Sequence, residues 1–310
     1  MPRATHTQVE LARPLACWLV IPAYNEATRI RRCLDSVLDS PLPEACYWSE
    51  WTVVDAASPD GTADKAQAWS TEHSHIPMRV ARETTRRGKA TSLASLHAEL
   101  VARHALDDVV VVVDADSQVT REAISDLVSP FCSDKDLGIV WGIDEPDNVG
   151  VGRWAPAFQM KACNALAERE PSGVRAYGAF FAYRVGQLAT FTWVAGEVTD
   201  DMQVARYVAE RSIPARTAKG ARVRRTPAGS YHDFYLQTFR FFAAQAPQTG
   251  EKRRPLPRSL RAAAGVAIGH PHWAVAYFCA RALCTVRHRL RPATFTALWE
   301  PPVSTKGRSQ

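Results

Sequence analysis

The stretch VVVVVDADSQV (109–119) closes an apolar run with two carboxylates, Asp114 and Asp116, two residues apart. In extended backbone, residues i and i+2 point to the same side. Both acids can therefore approach a single cation. A hard divalent ion such as Mg²⁺ is commonly held by one or two carboxylates and completed by substrate phosphates. Strand-end acids also cap loops and helices, and the pair alone does not separate these uses. A third acid, Asp55, ends another apolar run in VVDAASPDGT (53–62), where Ser58 to Thr62 read as a turn opening a helix. RRGKA (86–90) sets Arg86, Arg87 and Lys89 at the start of a further helix. Guanidinium groups, an ammonium and a helix N-terminus all favour a polyanion, although a solvated basic turn has the same composition. Carboxylates for a metal beside cations for phosphates suggest a nucleotide-diphosphate ligand.

Such groups need elements that bring them to one place. Four segments, WLVIP (18–22), WTVVD (51–55), MRVAR (78–82) and VVVVVD (109–114), are apolar, β-branched and end in polar or acidic residues. Near-continuous apolar runs suit parallel strands covered on both faces. Between them Ile30, Cys33, Leu34, Val37 and Leu38, and later Leu93, Leu96, Leu100 and Val101, recur at helical spacing. Strand alternating with helix predicts an α/β fold built on right-handed βαβ units. Ligands of such sheets sit outside the carboxyl ends of the strands. Tyr24, Asn25 and Glu26, directly after the first strand, then become rim residues of the same cleft. Further along, the pattern predicts a helix near 120–130, a strand at 138–143 and a flexible connection over 144–152. A helix near 153–170 and a strand at 178–184 follow. TDDMQVARYVAERS (199–212) reads as a helix with Thr199 as N-cap and Asp200 and Asp201 in its first turn.

At 310 residues, 46% hydrophobic and 23% charged, the chain has an ordinary globular composition. Its seven cysteines (17, 33, 46, 132, 163, 279, 284) form no CxxC pair and no zinc spacing. They read as buried small hydrophobes in a reducing, cytoplasmic setting. The leading MPRATHTQVELARP holds no continuous apolar run of the kind a signal peptide needs. Charge is uneven: residues 1–204 carry 19 basic and 28 acidic side chains, residues 205–310 carry 19 and 4. The basic third would suit phosphate groups of a ligand or peripheral contact with an anionic membrane; a solvated basic face explains it equally well. No nucleic-acid-binding motif is present. The segment 262–284 is long and apolar, but His270, Pro271, His272 and Arg281 interrupt it, so a surface-lying or core helix is expected rather than a span.

The motifs IPAYNE, VVDAASPDGT, RRGKA, VVVDADS and TDD, in this order, resemble the family 2 glycosyltransferases of the GT-A fold over residues 17–245. The resemblance implies a GT-A, Rossmann-like, mostly parallel central sheet flanked by helices, with a helical C-terminal extension. A catalytic domain would cover 1–225, its donor half 17–116 and its acceptor half 117–225, with a basic helical extension over 226–310. It further implies inverting, metal-dependent transfer of one sugar from a nucleotide-sugar donor, usually UDP-linked, to a sugar, lipid-linked or small-molecule acceptor. Pro22, Ala23, Tyr24, Glu26 and Asp55 would hold the nucleoside, with Asn25 structural. Lys89, with Arg86 or Arg87, would lie near the nucleotide. Asp114 and Asp116 would be the DxD pair, Asp116 being the direct ligand of Mn²⁺ or Mg²⁺. Thr199-Asp200-Asp201 resembles the family's Thr-Glu-Asp motif, which makes Asp201 the base and Asp200 a support for acceptor or loop. Both acids would also suit a helix dipole alone. Gly178 and Ala179 match the small-residue wall between donor and acceptor. Gln237 and Arg240 resemble part of an acceptor-holding Gln-x-x-Arg-Trp motif, with Phe241 in place of Trp. Tyr235, Phe239 and Phe242 read equally as a core-facing stripe. Ala56 and Ala57 depart from the family's usual Asp-Gly.

Two other readings meet specific objections. A sugar nucleotidyltransferase would want a Gly-rich, basic triphosphate loop after the first strand, and IPAYNEATR has none. A non-catalytic glycan- or membrane-binding relative would be expected to lose acids, whereas Asp114, Asp116 and Asp201 are all present.

Overall fold

The computed structural model describes residues 13–169, 178–194, 199–244 and 256–290. Strands β1 (Leu15–Ala23), β2 (Cys46–Asp55), β3 (Met78–Arg82) and β4 (Val109–Val113) alternate with helices α1 (Ile30–Leu38), α2 (Thr62–Glu72) and α3 (Lys89–Ala102). The short β5 (Gln118–Val119), α4 (Ala123–Ser133), β6 (Ile139–Pro146), α5 (Trp154–Arg169) and β7 (Phe180–Arg184) follow. The chain continues through α6 (Asp200–Glu210), β8 (Ala215–Arg225), α7 (Tyr231–Ala244), α8 (Leu256–Gly269) and α9 (Pro271–Leu290). Eight strands form one sheet in the order β3-β2-β1-β4-β7-β6-β8-β5. β3, β2, β1 and β4 are mutually parallel, β7 is antiparallel to both neighbours, and β6 runs parallel with β8.

The valine run of β4 shows why its sequence lacks polar alternation. Val109, Val111 and Val113 enter the core under α1 and α4, while Val110 and Val112 enter the opposite core with Leu93, Leu96 and Leu100 of α3. Both faces are covered, so every position is apolar. In α1 the stripe Ile30, Cys33, Leu34 and Val37 is buried as its spacing predicts, and Leu38 at the end is exposed.

Two expectations are corrected and one strand was not anticipated. The connection over 144–152 starts as strand: β6 extends to Pro146 because Ile143 to Pro146 pair with Arg222 to Arg225 of β8. β8 itself was hidden in the basic tract; ARTAKGARVRR buries Ala215, Thr217, Ala221 and Val223 while its charged residues face outward or into the cleft. The thiols are not uniformly core: Cys17, Cys33 and Cys284 are buried, Cys46 is half-buried, and Cys132, Cys163 and Cys279 are exposed.

Segment 262–284 breaks at His270–Pro271 into α8 and α9, since proline suits a helix's first turn and not its interior. Among the described residues no helix is long and apolar enough to cross a membrane. Phe234 and Tyr235 of α7 are buried against Tyr277, Ala280 and Cys284 of α9, so the core-facing reading holds for Tyr235. Phe239 and Phe242 lie outside the described side chains.

Candidate active site

The strand order places a switch point between β1 and β4, where the chain, having wound outward to β3, returns to the other side of β1. The floor of the cleft there is built from the carboxyl ends of β1 and β2. Pro22 pairs with Val54, and Ala23 with Asp55. Beyond Ala23 the chain turns sharply, with Asn25 at φ 56°, a left-handed conformation that asparagine tolerates better than most residues. The turn is fastened to the SPDGT loop: Ser58 Oγ accepts from Asn25 N–H at 3.0 Å, Thr62 Oγ1 from Glu26 N–H at 2.8 Å and Asp60 Oδ2 from Ala27 N–H at 3.0 Å. Asn25 is thus a structural corner. Tyr24 carries the Arg86 guanidinium 3.7 Å above its ring. Asp55 is buried; its Oδ2 accepts from Ser58 N–H at 3.1 Å, and its Oδ1 meets no donor among the described residues. A buried acceptor without a donor is costly in the free protein and suits a ligand N–H.

The wall is a cluster of alternating charge. Lys89, at the first turn of α3, places Nζ 2.7 Å from Asp114 Oδ1, 3.0 Å from Asp200 Oδ2 and 2.5 Å from the Gly178 carbonyl it donates to. One ammonium therefore ties the end of β4, the start of α6 and the approach to β7. Arg225 at the end of β8 reaches Asp114 Oδ2 at 3.5 Å and Asp144 Oδ2 at 3.3 Å. Arg29 lies 3.4 Å from Glu26 and 3.9 Å from Asp116. Burial raises the Asp114 and Asp144 carboxyls above the ordinary carboxylate value, against the pull of Lys89 and Arg225. Burial works to lower Lys89, but Asp114 and Asp200 outweigh it and hold the ammonium firmly protonated.

Asp201 follows directly, half a turn into α6. Its Oδ1 accepts from Met202 N–H at 2.9 Å, so the helix N-terminus steadies its charge. Gly178 is small for a steric reason: a Cβ there would lie 3.1 Å from the Asp201 carboxylate. Ala179 O accepts from Asp114 N–H at 2.9 Å, joining this wall to the turn that follows β4.

Of the residues singled out in the sequence, Pro22, Ala23, Tyr24, Glu26 and Asp55 line the floor, and Lys89, Asp114, Asp116, Gly178, Ala179, Asp200 and Asp201 share the wall. Arg87 turns to Glu83 at 3.2 Å; Arg86 is the arginine that reaches the floor. Gln237 is half-buried on α7, and the Arg240 side chain lies outside those described. Sequence reasoning missed Arg29, Asp144 and Arg225. Asp144 carried a readable signal, an acid ending an apolar run like Asp55 and Asp114. Arg225 carried none, because its partner lies on a strand about 80 residues earlier.

The acid set suits a hard divalent ion. Glu26, Asp114, Asp116, Asp144, Asp200 and Asp201 face Arg29, Lys89 and Arg225, an excess of negative charge. Asp114 is already engaged by two cations, whereas Asp116 has the more exposed side chain, 30% against 23%. Asp116 is thus the carboxylate best able to meet an ion entering from the cleft. Among the described residues no three His, Cys, Asp or Glu side chains enclose an ion by themselves. An ion here would draw the rest of its shell from substrate oxygens.

A floor at the ends of β1 and β2 and a carboxylate wall beside it, at the switch point of a mixed α/β sheet, are the arrangement of the GT-A type. The profile of glycosyl transferase family 2 matches residues 18–189, more than half of the chain, and the protein belongs to that family. It is 35% identical over 121 residues to a dolichol-phosphate mannosyltransferase of Pyrococcus furiosus, covering 39% of this chain and 31% of that one. It is 37% identical over 62 residues to glycosyltransferase AglE of Haloferax volcanii, covering 20% of each. The chain thus spans a third or less of the curated relatives it matches. In structure it resembles the mannosyltransferase PcManGT of Pyrobaculum calidifontis, solved with GDP-Man and Mn²⁺, at TM-score 0.57 and 22% identity over 90% of this chain and 76% of that one. S. aureus TarS 1-349 with UDP-GlcNAc gives TM-score 0.52 and 16% identity over the same shares, 90% and 76%. These two likenesses establish the GT-A fold.

Proposed function

We propose that this protein is an inverting, metal-dependent glycosyltransferase that moves one sugar from a nucleoside-diphosphate sugar, UDP-linked, to an acceptor hydroxyl. The observation that carries the reading is Lys89, which draws Asp114, Asp200 and the Gly178 carbonyl into one wall from three distant segments. Asp55 Oδ1 takes an N–H of the base, and Tyr24 with Arg86 borders the nucleoside. Asp116, supported by Asp114, would hold Mn²⁺ or Mg²⁺, which when bound would supply positive charge against the departing diphosphate. Asp201 accepts the proton of the acceptor hydroxyl as that oxygen attacks the anomeric carbon. Gly178, lacking a Cβ, lets the Asp201 carboxylate pack close to the chain without being pushed aside, and Lys89 keeps Asp200 from competing as base by holding it in an ion pair.

A GDP-mannose donor is the second reading, favoured by the two mannosyltransferase relatives. Guanine, like uracil, presents a ring N–H to a carboxylate, so Asp55 does not separate the two. Release of UDP or GDP from a panel of nucleotide sugars with Mn²⁺ does. Turnover that requires metal and is lost in Asp116→Ala supports the proposal. Nucleotide binding without turnover for every donor and acceptor would leave a non-catalytic binding protein.

The acceptor proposed is lipid-linked, reached from an anionic bilayer on which α9 lies. Val275, Phe278, Leu283, Val286 and Leu290 are exposed on one face of α9, with Ile268 at the end of α8. Residues 256–290 include Arg258, Arg261, Arg281, Arg287 and Arg289 and no acid, which complements anionic headgroups. Full-length protein should co-sediment with phosphatidylglycerol vesicles and lose this in Phe278→Asp/Leu283→Asp. Failure of the wild type to bind at any salt concentration removes the membrane reading while leaving the donor chemistry intact.

A further inference from the structure

Three thiols from separate elements meet at the sheet edge opposite the cleft. Cys17 lies early in β1, Cys46 opens β2 and Cys132 sits in the last turn of α4. The Sγ atoms of Cys46 and Cys132 are 3.3 Å apart, although the residues are 86 positions apart in sequence. Cys46 is half-buried and Cys132 exposed, so a small reagent can reach both; Cys17 is fully buried beneath them. Cys46 and Asp55 are the two ends of the ten-residue β2, about 30 Å apart at the rise of an extended strand. The cluster therefore takes no part in the site described above.

We propose that Cys46 and Cys132 are a thiol–disulfide exchange site, oxidised by a low-molecular-weight disulfide of the glutathione class, which cross-links β2 to α4. The Cys46 thiolate attacks one sulfur of the reagent disulfide; a Cys46–reagent S–S bond forms and one reagent thiolate leaves. Cys132 then attacks the Cys46 sulfur, forming Cys46–Cys132 and expelling the second reagent thiolate. Two protein thiols are oxidised, one reagent disulfide is reduced to two thiols, and the two cysteine protons end on them.

The surroundings divide the roles between the two residues. A hydrogen bond from Cys17, joined by one from Cys132 and opposed by burial, brings the Cys46 thiol down to about 7. Burial, with the hydrogen bond to Cys46, holds Cys132 up at about 11 against the nearby Arg184 guanidinium. Cys46 is accordingly the attacking group, a thiolate near neutral pH, and Cys132 the resolving one. The bond would close a loop that contains Asp55, Asp114 and Asp116. It would constrain the unfolded chain while lying far from the cleft.

The test is to incubate reduced, full-length protein with oxidised glutathione near neutral pH and map modified cysteines by mass spectrometry after alkylation. Exposed Cys163 and Cys279 serve as internal references. We expect a Cys46–Cys132 cross-linked peptide to form at least about tenfold faster than either reference is modified. Cys132→Ser should instead accumulate the Cys46–glutathione adduct. The cross-linked protein should melt at least about 5 °C higher than the reduced form. Modification of Cys46 no faster than the references overturns the proposal, as does a Cys17–Cys46 bond in place of the expected one. Mapping on the wild type decides between these outcomes even if a variant folds poorly.

Discussion

The two halves of the sheet place their charges in different ways. In the parallel half, Asp55 ends β2 and the Asp114/Asp116 pair sits in the turn directly after β4, and the SPDGT turn fastens the floor with hydrogen bonds no longer than 3.1 Å. In the mixed half, Asp144 and Arg225 meet because β6 and β8 pair in register, and Asp200 is held by Lys89 from α3. The floor is thus specified by short-range geometry, whereas the wall depends on ion pairs between distant segments. The difference teaches that donor binding and transfer should be separable by mutation, and that the wall should be the more fragile of the two.

The sharpest break is Asp201→Asn. Transfer should fall by at least about 10²-fold, the loss expected on deleting a general base, while nucleotide affinity stays within about twofold of wild type. Isothermal titration beside turnover checks this; wild-type turnover would remove Asp201 from the mechanism. Next comes Lys89→Met, which strands the Asp114 and Asp200 carboxylates in a partly buried site. Removing one partner from such a cluster should cost about 3 kcal/mol in urea unfolding. Adding Asp114→Asn should return part of that loss; strict additivity would mean the two side chains are not energetically coupled.

A smaller effect tests the seam between the halves. His97 of α3 has Nε2 2.9 Å from the Leu188 carbonyl, just beyond β7. Burial lowers its basicity, against the opposing hydrogen bond to Leu188 O. The unfolded chain then binds a proton near pH 6.5 that the folded one refuses, so stability falls as pH drops below that value. Its slope should approach about 1.4 kcal/mol per pH unit for this group, and His97→Gln should flatten that part of the profile. The smallest change concerns the floor alone. Ala57 sits at φ 57°, where an L-residue is strained by about 1 kcal/mol. Ala57→Gly should raise stability by about 0.5 kcal/mol, since glycine's greater freedom in the unfolded chain offsets part of the relief. Destabilisation instead would mean that the Ala57 methyl makes contacts worth more than the strain.

The amino-acid sequence by itself determined the parallel half of the sheet. Apolar runs ending in acids, turn residues in SPDGT and helical spacing in α1 are signals carried within a few residues, because strand and helix periodicity and turn preference are local properties. It also marked Asp200 and Asp201 through the first turn of a helix. Only the tertiary structure decided that Arg86 and not Arg87 reaches Tyr24, that β8 is a strand, and that Asp144, Arg225 and Arg29 join the wall. The meeting of Cys46 with Cys132 has the same origin. These are pairings across tens of residues, set by strand register and helix packing, and no local pattern of residues encodes them.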